Sequence, residues 1–176
     1  MLDWREQPIG RHHDRKSFDC GIEDLNTYLS RYARQNHESG GAKTFVAVSA
    51  AEPTHVLGLY TISPGAIAFT DVPESLTRGL GRYEVPVFRL GRLAVDRSVQ
   101  GRGLGGDLLL AAGARALAVA ADVGGVALAI DAQDRNAAQW YERFGAVRLL
   151  DDPLKLILPL AVIAEALYGR TGSETG

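Results

Sequence analysis

Hydrophobic and polar positions repeat with two different periods along the chain, and the switches between them predict most of its elements. Short apolar runs predict strands at 44–50, 55–63, 66–70, 85–95, 126–131, 146–150 and 154–158. Apolar residues at helical spacing predict helices at 22–36, 103–121, 136–144 and 159–168. Residues 1–17 are too polar to define a strand, and 71–84 fits a short helix or a loop. This order indicates an α/β fold with a mixed sheet.

Two of these helices carry patterns that predict which side chains turn inward. One face of the first helix is formed by Ile22, Leu25, Leu29, Tyr32 and Ala33. In the helix 136–144, Ala137 and Tyr141 share a face at a spacing of i,i+4. Trp140 and Phe144 share another face, which we expect in the core.

Composition narrows the class of protein. The 176 residues, of which 46% are hydrophobic, indicate a single domain with an ordinary core. We expect that domain to span residues 1–168 and the tail 169–176 to be disordered. No apolar run approaches the ~20 residues of a membrane span, and the polar N-terminus is unlike a signal peptide. A single cysteine excludes an internal disulfide, which favours a reducing cytoplasm.

A glycine-rich stretch lies between the strand 85–95 and the helix that begins near residue 103. Four glycines fall among the six residues 101–106. Glycine adopts positive φ and lets a backbone approach a ligand closely. The start of a helix also offers unpaired N–H groups to an anion. The stretch therefore predicts a cradle for a pyrophosphate.

Two better-known glycine-rich phosphate sites fit this stretch less well. A P-loop requires a lysine followed by serine or threonine, and no such pair follows these glycines. Gly101, Gly103 and Gly106 match the spacing of a dinucleotide fingerprint. The acidic residue that should accompany it, Asp122, would end a helix rather than the next strand.

Three segments together resemble one family. Gln100-Gly101-Arg102-Gly103-Leu104-Gly105, preceded by Leu90–Val95, resembles motif A of the GNAT acetyltransferases, which holds the pyrophosphate of acetyl-CoA. Asp131–Gly145, with its Tyr-x-x-Phe-Gly, resembles motif B of that family. Phe18–Gly21, followed by Leu25-Asn26-x-Tyr28-Leu29, resembles one branch of it, the type II toxin–antitoxin toxins that acetylate aminoacyl-tRNA. The resemblance covers roughly residues 8–160.

The resemblance implies a fold, a reaction and partners. The implied GNAT fold is a mixed, mostly antiparallel central sheet of 6–7 strands with splayed central parallel strands, flanked by about four helices. The implied enzyme moves an acetyl group from acetyl-CoA, without a metal, to a primary amine, namely the α-amine of aminoacyl-tRNA. Such a toxin blocks translation in the cytoplasm, is neutralised by a small DNA-binding antitoxin, forms a homodimer and needs no membrane.

The resemblance also assigns roles to individual residues. It places Tyr141 as the catalytic group, because a phenol with a pKa near ~10 can protonate a departing thiolate with a pKa near ~8.5. It places the backbone of Leu93 and Val95 on the pantetheine arm, where Asn136 also contacts it. The full set implied for the cofactor is Leu93, Ala94, Val95, Gln100, Gly101, Arg102, Gly103, Leu104, Gly105, Gly106, Asn136 and Ala137.

No general base stands out in the sequence. His37, Glu38 and His55 are each expected to be solvated polar residues rather than catalysts. An α-amine has a pKa of roughly 7.7–8.0 and is partly neutral at pH 7, whereas a lysine amine at ~10.4 would require a base. This difference favours an α-amine as the acceptor. Cys20 lies near His12 and His13 in sequence, but the three lack the spacing of a zinc site.

The distribution of charge is more informative than the formal net charge of −2. Between Arg78 and Arg102, six arginines stand against Glu84 and Asp96, a local balance of +4. Either a solvated face or contacts to the phosphates of an RNA acceptor stem would explain part of this patch. The candidates for RNA contact are Arg78, Arg82, Arg89 and Arg92.

Two alternatives to the tRNA-acetylating toxin stay open at this point. The first is a GNAT acetyltransferase for a small-molecule amine, an antibiotic or a protein N-terminus. The second is a catalytically silent module that binds coenzyme A and acts through an interaction. The sequence contains no feature that identifies which aminoacyl-tRNA or which amine is the acceptor.

Overall fold

The structure is a computed structural model that describes residues 2–169. Its strands are β1 (Trp4–Pro8), β2 (Lys43–Ser49), β3 (Val56–Ile67), β4 (Val85–Val95), β5 (Ala127–Asp131), β6 (Val147–Arg148) and β7 (Lys155–Pro159). Its α-helices are α1 (Glu23–Thr27), α2 (Ala33–Ser39), α3 (Leu104–Val123), α4 (Arg135–Glu142) and α5 (Leu160–Tyr168). A π-helical turn, Tyr28–Tyr32, joins α1 to α2.

The seven strands form one mixed sheet in the order β1-β2-β3-β4-β5-β7-β6. The pairs β1–β2, β2–β3, β5–β7 and β6–β7 are antiparallel, and β4 and β5 are parallel. The predicted mostly antiparallel sheet of 6–7 strands is confirmed. About four helices were expected, and the described residues contain four helical segments when α1 and α2 are counted as one interrupted helix.

The parallel ladder between β4 and β5 is short. It runs from Val87 opposite Ala127 to Leu90 opposite Ile130. Strand β4 continues for five more residues, to Val95, beyond the end of this ladder. In a sheet with splayed central strands, one of the two strands has such a stretch that does not pair with the other. The backbone groups of this unshared stretch that no neighbouring strand uses can pair with a ligand.

The described chain divides into two compact units. The first contains the residues up to Ser63 and Gly91–Ala111, and the second contains Pro64–Leu90 and the residues from Ala112 onward. The core of the first unit consists of Ile9, Phe18, Cys20, Tyr28, Leu29, Ala33, Val46, Val48, Val56, Leu59 and Ala94. The core of the second consists of Ile67, Val72, Val85, Val87, Ala127, Ala129, Leu149 and Ile157.

The domain prediction falls partly on residues that are not described. A single domain over residues 1–168 stays a prediction. Residues 170–176 of the tail that we expected to be disordered lie outside the described residues.

Two predictions for the first half of the sheet need correction. The separate strand at 66–70 is wrong, because β3 runs without a break from Val56 to Ile67 through Pro64 and Gly65. Gly65 has no side chain, and the side chain of Arg89 occupies the space beside it. A Cβ at Gly65 would meet Arg89 Nε at 2.7 Å. The polar residues 1–17, for which the sequence defines no strand, contain β1. This strand pairs with β2 from Trp4 to Pro8.

The inward face predicted for the first helix is also partly wrong. Leu29 and Ala33 are buried, but Ile22 is 39% exposed and Tyr32 is 54% exposed. For Tyr32 the cause is the π-helical turn, because its wider i→i+5 spacing shifts the phase of the residues within it, whereas Ile22 lies before that turn, at the N-cap of α1. Tyr28 is consequently the buried tyrosine of this segment.

Helix α3 is long and apolar enough, by length and composition alone, to cross a membrane. An 18-residue window of this 20-residue helix has a mean hydropathy of 1.5, so the expectation that no apolar run approaches the length of a membrane span is corrected. The core helices of globular proteins pass the same test, and 33% of this stretch is buried inside the protein. Leu104, Leu108 and Leu109 are each at most 1% exposed, so one side of α3 packs in the core.

Candidate active site

The glycine-rich loop takes the conformation that its sequence predicts. After β4 the chain makes a 3-10 turn at Arg97–Val99, and Gly101 and Gly103 follow with φ of 79° and 87°. A side chain at either position would be strained, because residues other than glycine rarely adopt positive φ. The loop then enters α3 at Leu104.

The start of α3 presents backbone N–H groups that nothing else uses. The N–H of Asp107 makes the first helical hydrogen bond, 3.2 Å to the carbonyl of Gly103. Within residues 2–169, no hydrogen bond uses the N–H groups of Leu104, Gly105 or Gly106. Unpaired amides at a helix start bind anions, so this row of donors fits a diphosphate. Arg102 is exposed in the loop beside them.

Gln100 supports the loop rather than presenting its side chain to a ligand. Its amide Nε2 donates to the carbonyl of Cys20 at 3.0 Å and to the carbonyl of Val95 at 2.9 Å. Both amide hydrogens are therefore used within the protein. The carbonyl of Val95, which the resemblance placed on the pantetheine arm, already accepts one of these bonds.

The 3-10 turn before the loop is fixed by Asp96, a largely buried carboxylate. Its Oδ1 accepts hydrogen bonds from the Ser98 N–H at 3.0 Å and the Ser98 hydroxyl at 2.7 Å. Its Oδ2 accepts from the Asp19 N–H at 2.9 Å. Burial works to raise the pKa of Asp96, but these hydrogen bonds outweigh it, so the pKa lies below its usual value.

The segment Phe18–Gly21 braces the turn from the other side. Asp19 Oδ1 accepts from the Gly21 N–H and from Asn26 Nδ2, both at 2.9 Å, and Asn26 Oδ1 accepts from the Cys20 N–H. The hydrogen bond from Asn26, followed by that from Gly21, lowers the pKa of Asp19. The sequence analysis used this segment only as part of the family resemblance and missed its link to Asp96. Its Asp and Asn residues, which bond local backbone in turns, were the available signal.

Cys20 has a structural environment. Its thiol is buried and donates to the Ile22 carbonyl at 3.6 Å, and burial raises its pKa. A buried thiol of raised pKa is a poor nucleophile and a poor metal ligand. Within residues 2–169, no three His, Cys, Asp or Glu side chains are placed to hold a metal ion.

Tyr141 lies on α4, whose start is fixed by Asp134. The Asp134 carboxylate accepts the Ala137 N–H at 2.8 Å, so the backbone donor of Ala137 is already used. Tyr141 is only 9% exposed, and this burial raises the pKa of its phenol well above the ordinary value of 10. Within the described residues, no hydrogen bond engages its hydroxyl. The phenol therefore keeps its proton and has it free to donate.

The neighbours of Tyr141 differ from the prediction. Trp140 and Phe144 were expected in the core, but both are only half-buried, and they pack on each other with ring centroids 4.8 Å apart. The buried residues of α4 are instead Ala138 and Tyr141, which share a face at a spacing of i,i+3. Asn136, which the resemblance placed on the pantetheine arm, is exposed on the first turn of α4.

Two of the three residues considered as a general base, His37 and Glu38, are engaged elsewhere, and His55 is half-buried. His37 Nδ1 accepts the Thr44 N–H at 3.0 Å, and burial, followed by the charge of Lys43, lowers the pKa of His37. Glu38 forms an ion pair with Arg34 at 3.0 Å. A histidine whose acceptor nitrogen is already bonded cannot take a proton from a substrate. This agrees with a reaction that uses an amine already neutral.

The four candidate arginines occupy different surroundings. Arg78, Arg82 and Arg89 belong to the second unit and Arg92 to the first. Arg89 donates to the Ala66 carbonyl at 3.3 Å and lines a small pocket with Asp71, Asp131, Asp151 and Lys155. The guanidinium of Arg92 instead stacks on Tyr28, with its carbon 3.5 Å from the ring centroid.

Comparison with known proteins identifies the family. The sequence profile of the acetyltransferase (GNAT) domain matches residues 41–145, which include both the glycine loop and Tyr141. The chain belongs to the GNAT acetyltransferase family. The prediction of an acetyltransferase is thereby confirmed.

The likeness to the toxin branch is confirmed as well. The chain is 38% identical over 156 residues to the tRNA-acetylating toxin of Mycobacterium tuberculosis, which covers 89% of this chain and 91% of that protein. It is 26% identical over 159 residues to the probable toxin TacT of Sinorhizobium fredii, at 86% and 87% coverage. It also resembles a crystal structure of a KacT mutant, with a TM-score of 0.88 and 28% identity over 95% of this chain and 100% of that one.

A further solved structure relates this GNAT fold to an RNA complex. AtaT complexed with acetyl-methionyl-tRNAfMet has a TM-score of 0.87 and 25% identity, covering 94% of this chain and 99% of AtaT. The predicted GNAT fold is therefore confirmed over nearly the whole chain.

Proposed function

We propose that this GNAT enzyme transfers the acetyl group of acetyl-CoA to the α-amine of an aminoacyl-tRNA and so acts as the translation-blocking toxin of a toxin–antitoxin pair. One observation carries the proposal: three unused backbone amides at the start of α3, after two glycines of positive φ, in a chain of this family. The relatives support the acceptor, because they include a tRNA-acetylating toxin and AtaT bound to an acetylated aminoacyl-tRNA.

The residues of the loop fit acetyl-CoA, which supplies an acetyl group activated as a thioester. The N–H groups of Leu104, Gly105 and Gly106 would hold its diphosphate, and Arg102 would add a charge-assisted contact. The unshared part of β4, with Leu93, Ala94 and Val95, would pair with the amides of the pantetheine arm, and Asn136 and Ala137 complete the proposed set. A structure of a relative, AtaTR, has been solved with acetyl-CoA bound.

Tyr141 is the proposed proton donor. Its raised pKa keeps the phenol neutral across the physiological range, and its hydroxyl is not engaged by another described residue. As the C–N bond forms and the C–S bond breaks, the phenol would donate its proton to the departing sulfur, and the N–H proton released by the newly acylated nitrogen would return to the phenolate, which is a stronger base than a thiolate with a pKa near ~8.5. The α-amine of an aminoacyl ester needs no dedicated base, because a pKa of roughly 7.7–8.0 leaves roughly a tenth or more of it neutral at pH 7.

The remaining partners follow from the same proposal. Contacts to the phosphates of the acceptor RNA are assigned to Arg78, Arg82, Arg89 and Arg92. The proposed toxin works in the cytoplasm as a homodimer formed from a single GNAT domain, residues 1–168. It requires a small DNA-binding antitoxin, as a structure of KacTA with DNA and one of AtaT with the C-terminus of its antitoxin AtaR illustrate for relatives.

The decisive experiment is mass spectrometry of charged tRNA incubated with the protein and isotopically labelled acetyl-CoA. We expect label on the α-amine of at least one aminoacyl-tRNA and none on uncharged tRNA. Label on small amines or peptides but not on charged tRNA would favour the first alternative. Binding of coenzyme A without transfer to any amine would favour the silent module.

A further inference from the structure

A cleft in the first unit is lined by the π-helical turn, α2 and one residue of β4. Its volume is about 410 Å³, and its lining side chains are Tyr28, Tyr32, Gln35, Asn36, Ser39 and Arg92. This set combines one cation, two aromatic rings and two side-chain amides. Among the described residues that line the cleft there is no carboxylate. Its chemistry therefore favours an anionic ligand with a flat, polar group.

The guanidinium of Arg92 stacks on an aromatic ring at this cleft, and its hydrogen-bond donors are unused among the described residues. Its guanidinium carbon lies 3.5 Å from the centroid of the Tyr28 ring, which is buried and whose hydroxyl accepts from Asn36 Nδ2 at 3.2 Å. Within residues 2–169, no hydrogen bond or ion pair uses the Arg92 guanidinium. By contrast, Arg97 and Arg148 each face a carboxylate. A guanidinium stacked on a ring keeps its N–H edge free for a phosphate.

Tyr32 presents a second aromatic ring on the solvent side of the same cleft. It is 54% exposed, although its place in the helical pattern predicts burial. The π-helical turn produces this exposure, and such turns occur frequently at functional sites because they re-aim side chains. An exposed ring beside a cation is the platform on which proteins stack unpaired nucleobases.

We propose that this cleft binds one unpaired nucleotide of the RNA acceptor, with its phosphate on Arg92 and its base stacked on Tyr32. The inference rests on the proposed function and adds to it a site for the single-stranded 3′ end of tRNA. The exposed amide of Gln35 lies where it can donate to or accept from the edge of the base. An acidic peptide would pair with Arg92, but it would give no role to the exposed ring.

Two measurements test this site. The first is the anisotropy of a fluorescently labelled CCA oligoribonucleotide, the 3′ end shared by tRNAs, titrated with the full-length protein. The second is the KM for charged tRNA at saturating acetyl-CoA. We expect Tyr32→Ala to raise the oligonucleotide Kd and the tRNA KM about 5-fold to about 150-fold, the range measured for loss of one stacked base. Tyr32→Phe keeps the ring and should bind as wild type.

Arg92 is tested with the same probes. Arg92→Ala should weaken oligonucleotide binding and reduce the slope of log K against log salt by about one. Arg92→Lys keeps the positive charge but loses the planar guanidinium that stacks on Tyr28. We therefore expect this variant to have the wild-type slope of log K against log salt but an affinity below that of wild type. Tyr168→Ala is the matched control, because this tyrosine is 61% exposed and lies on α5, away from the cleft lining.

The outcomes separate this inference from the proposed function. A wild-type protein that acetylates charged tRNA while Tyr32→Ala keeps its KM and its oligonucleotide Kd would overturn the site and leave the function intact. A wild-type protein that acetylates no charged tRNA would overturn the function, and the oligonucleotide titration would still decide the site. Loss of neutralisation by an antitoxin, with RNA binding unchanged, would mark the cleft as a peptide site and overturn it.

Discussion

The side chain of Gln100 and the carbonyl of Cys20, 80 residues apart in sequence, are joined by a hydrogen bond of 3.0 Å. The same amide bonds the Val95 carbonyl at 2.9 Å, so one side chain ties the glycine loop both to the end of β4 and to the Phe18–Gly21 segment. The shape of the loop that presents the free amides of α3 therefore depends on a residue that need not touch the cofactor with its side chain.

Replacing Gln100 should loosen the glycine-rich loop without harming the chemical step. Each of its two hydrogen bonds contributes about 1 kcal/mol, or about fivefold, so Gln100→Ala should raise the KM for acetyl-CoA about 5- to 25-fold while kcat changes little. Gln100→Glu has the same shape but lacks the donors and should be at least as impaired. Steady-state kinetics at saturating acceptor measures both, and a glutamate variant with wild-type KM would contradict the role of the donors.

Removing the Tyr141 hydroxyl should separate binding from catalysis. Tyr141→Phe lacks the proton donor, so kcat should fall about 10²- to 10⁴-fold, the usual range for a general acid. The acetyl-CoA Kd from calorimetry should stay within about twofold, because the buried ring is retained. Tyr168→Phe is the control, and both its rate and its affinity should match wild type. A Tyr141→Phe enzyme of normal kcat would remove Tyr141 from the mechanism.

The raised pKa of Tyr141 predicts the alkaline side of the pH profile. Because burial keeps the phenol protonated above its ordinary pKa of 10, the donor should not ionise as the pH rises from 7 to 9.5. The rate of transfer at saturating substrates should therefore show no decline from this group over that interval. A loss of rate with an apparent pKa below 9 that disappears in Tyr141→Phe would contradict the buried, neutral phenol.

Gly58 is a test of packing beneath the site. A Cβ at this position in β3 would meet the carbonyl oxygen of Ala94 at 2.9 Å and Leu108 Cδ1 at 2.8 Å. The backbone oxygen cannot move aside, so Gly58→Ala should cost about 1–3 kcal/mol of unfolding free energy through overpacking. Urea denaturation measures this, with Gly81→Ala as the control, since a Cβ there meets only Tyr83 at 3.7 Å. Equal stability of the two variants would contradict the close packing.

His13 should make stability depend on mild acid. It is 4% exposed, and its Nδ1 accepts the Gly10 N–H while Nε2 bonds Gln7, an arrangement of the neutral ring. Burial, followed by the charge of His12, lowers its pKa below 6.5. The unfolded chain therefore binds the proton more readily than the folded one, and the unfolding free energy should fall as the pH drops below 6.5. Urea midpoints at pH 7.5 and 5.5 measure this, and His13→Gln should reduce the difference.

The cofactor loop could be predicted closely from the sequence because its determinants are local. Gly101 and Gly103 have the positive φ that their spacing indicated, and α3 begins at Leu104 where the apolar period changes. The strand β5 and helix α5 were likewise found within one residue of their predicted starts, since short apolar runs and nearby Gly or Pro residues mark them.

Features that depend on distant residues could not be predicted. Tyr28, rather than Tyr32, is the buried tyrosine because of the π-helical turn. The Tyr28 ring packs under Arg92, a residue 64 positions later in the chain. The bracing of Asp96 by the Asp19 N–H joins residues 77 apart. Neither contact leaves a periodic signal, so helical spacing alone placed the wrong tyrosine inward and gave Asp19 no role.

The unused amides at the start of α3 have a consequence for how this chain tolerates mutation. Every residue except proline carries the same main-chain donor, so most single replacements of the exposed Arg102 leave the three donors of Leu104, Gly105 and Gly106 in place, whereas the side chain of Leu104 is constrained by its burial. Substitutions that abolish a harmful activity should then concentrate at Gly101, Gly103 and Asp96, because these residues determine the backbone conformation of the loop. The exposed side chain of the loop should correspondingly vary widely without loss of function.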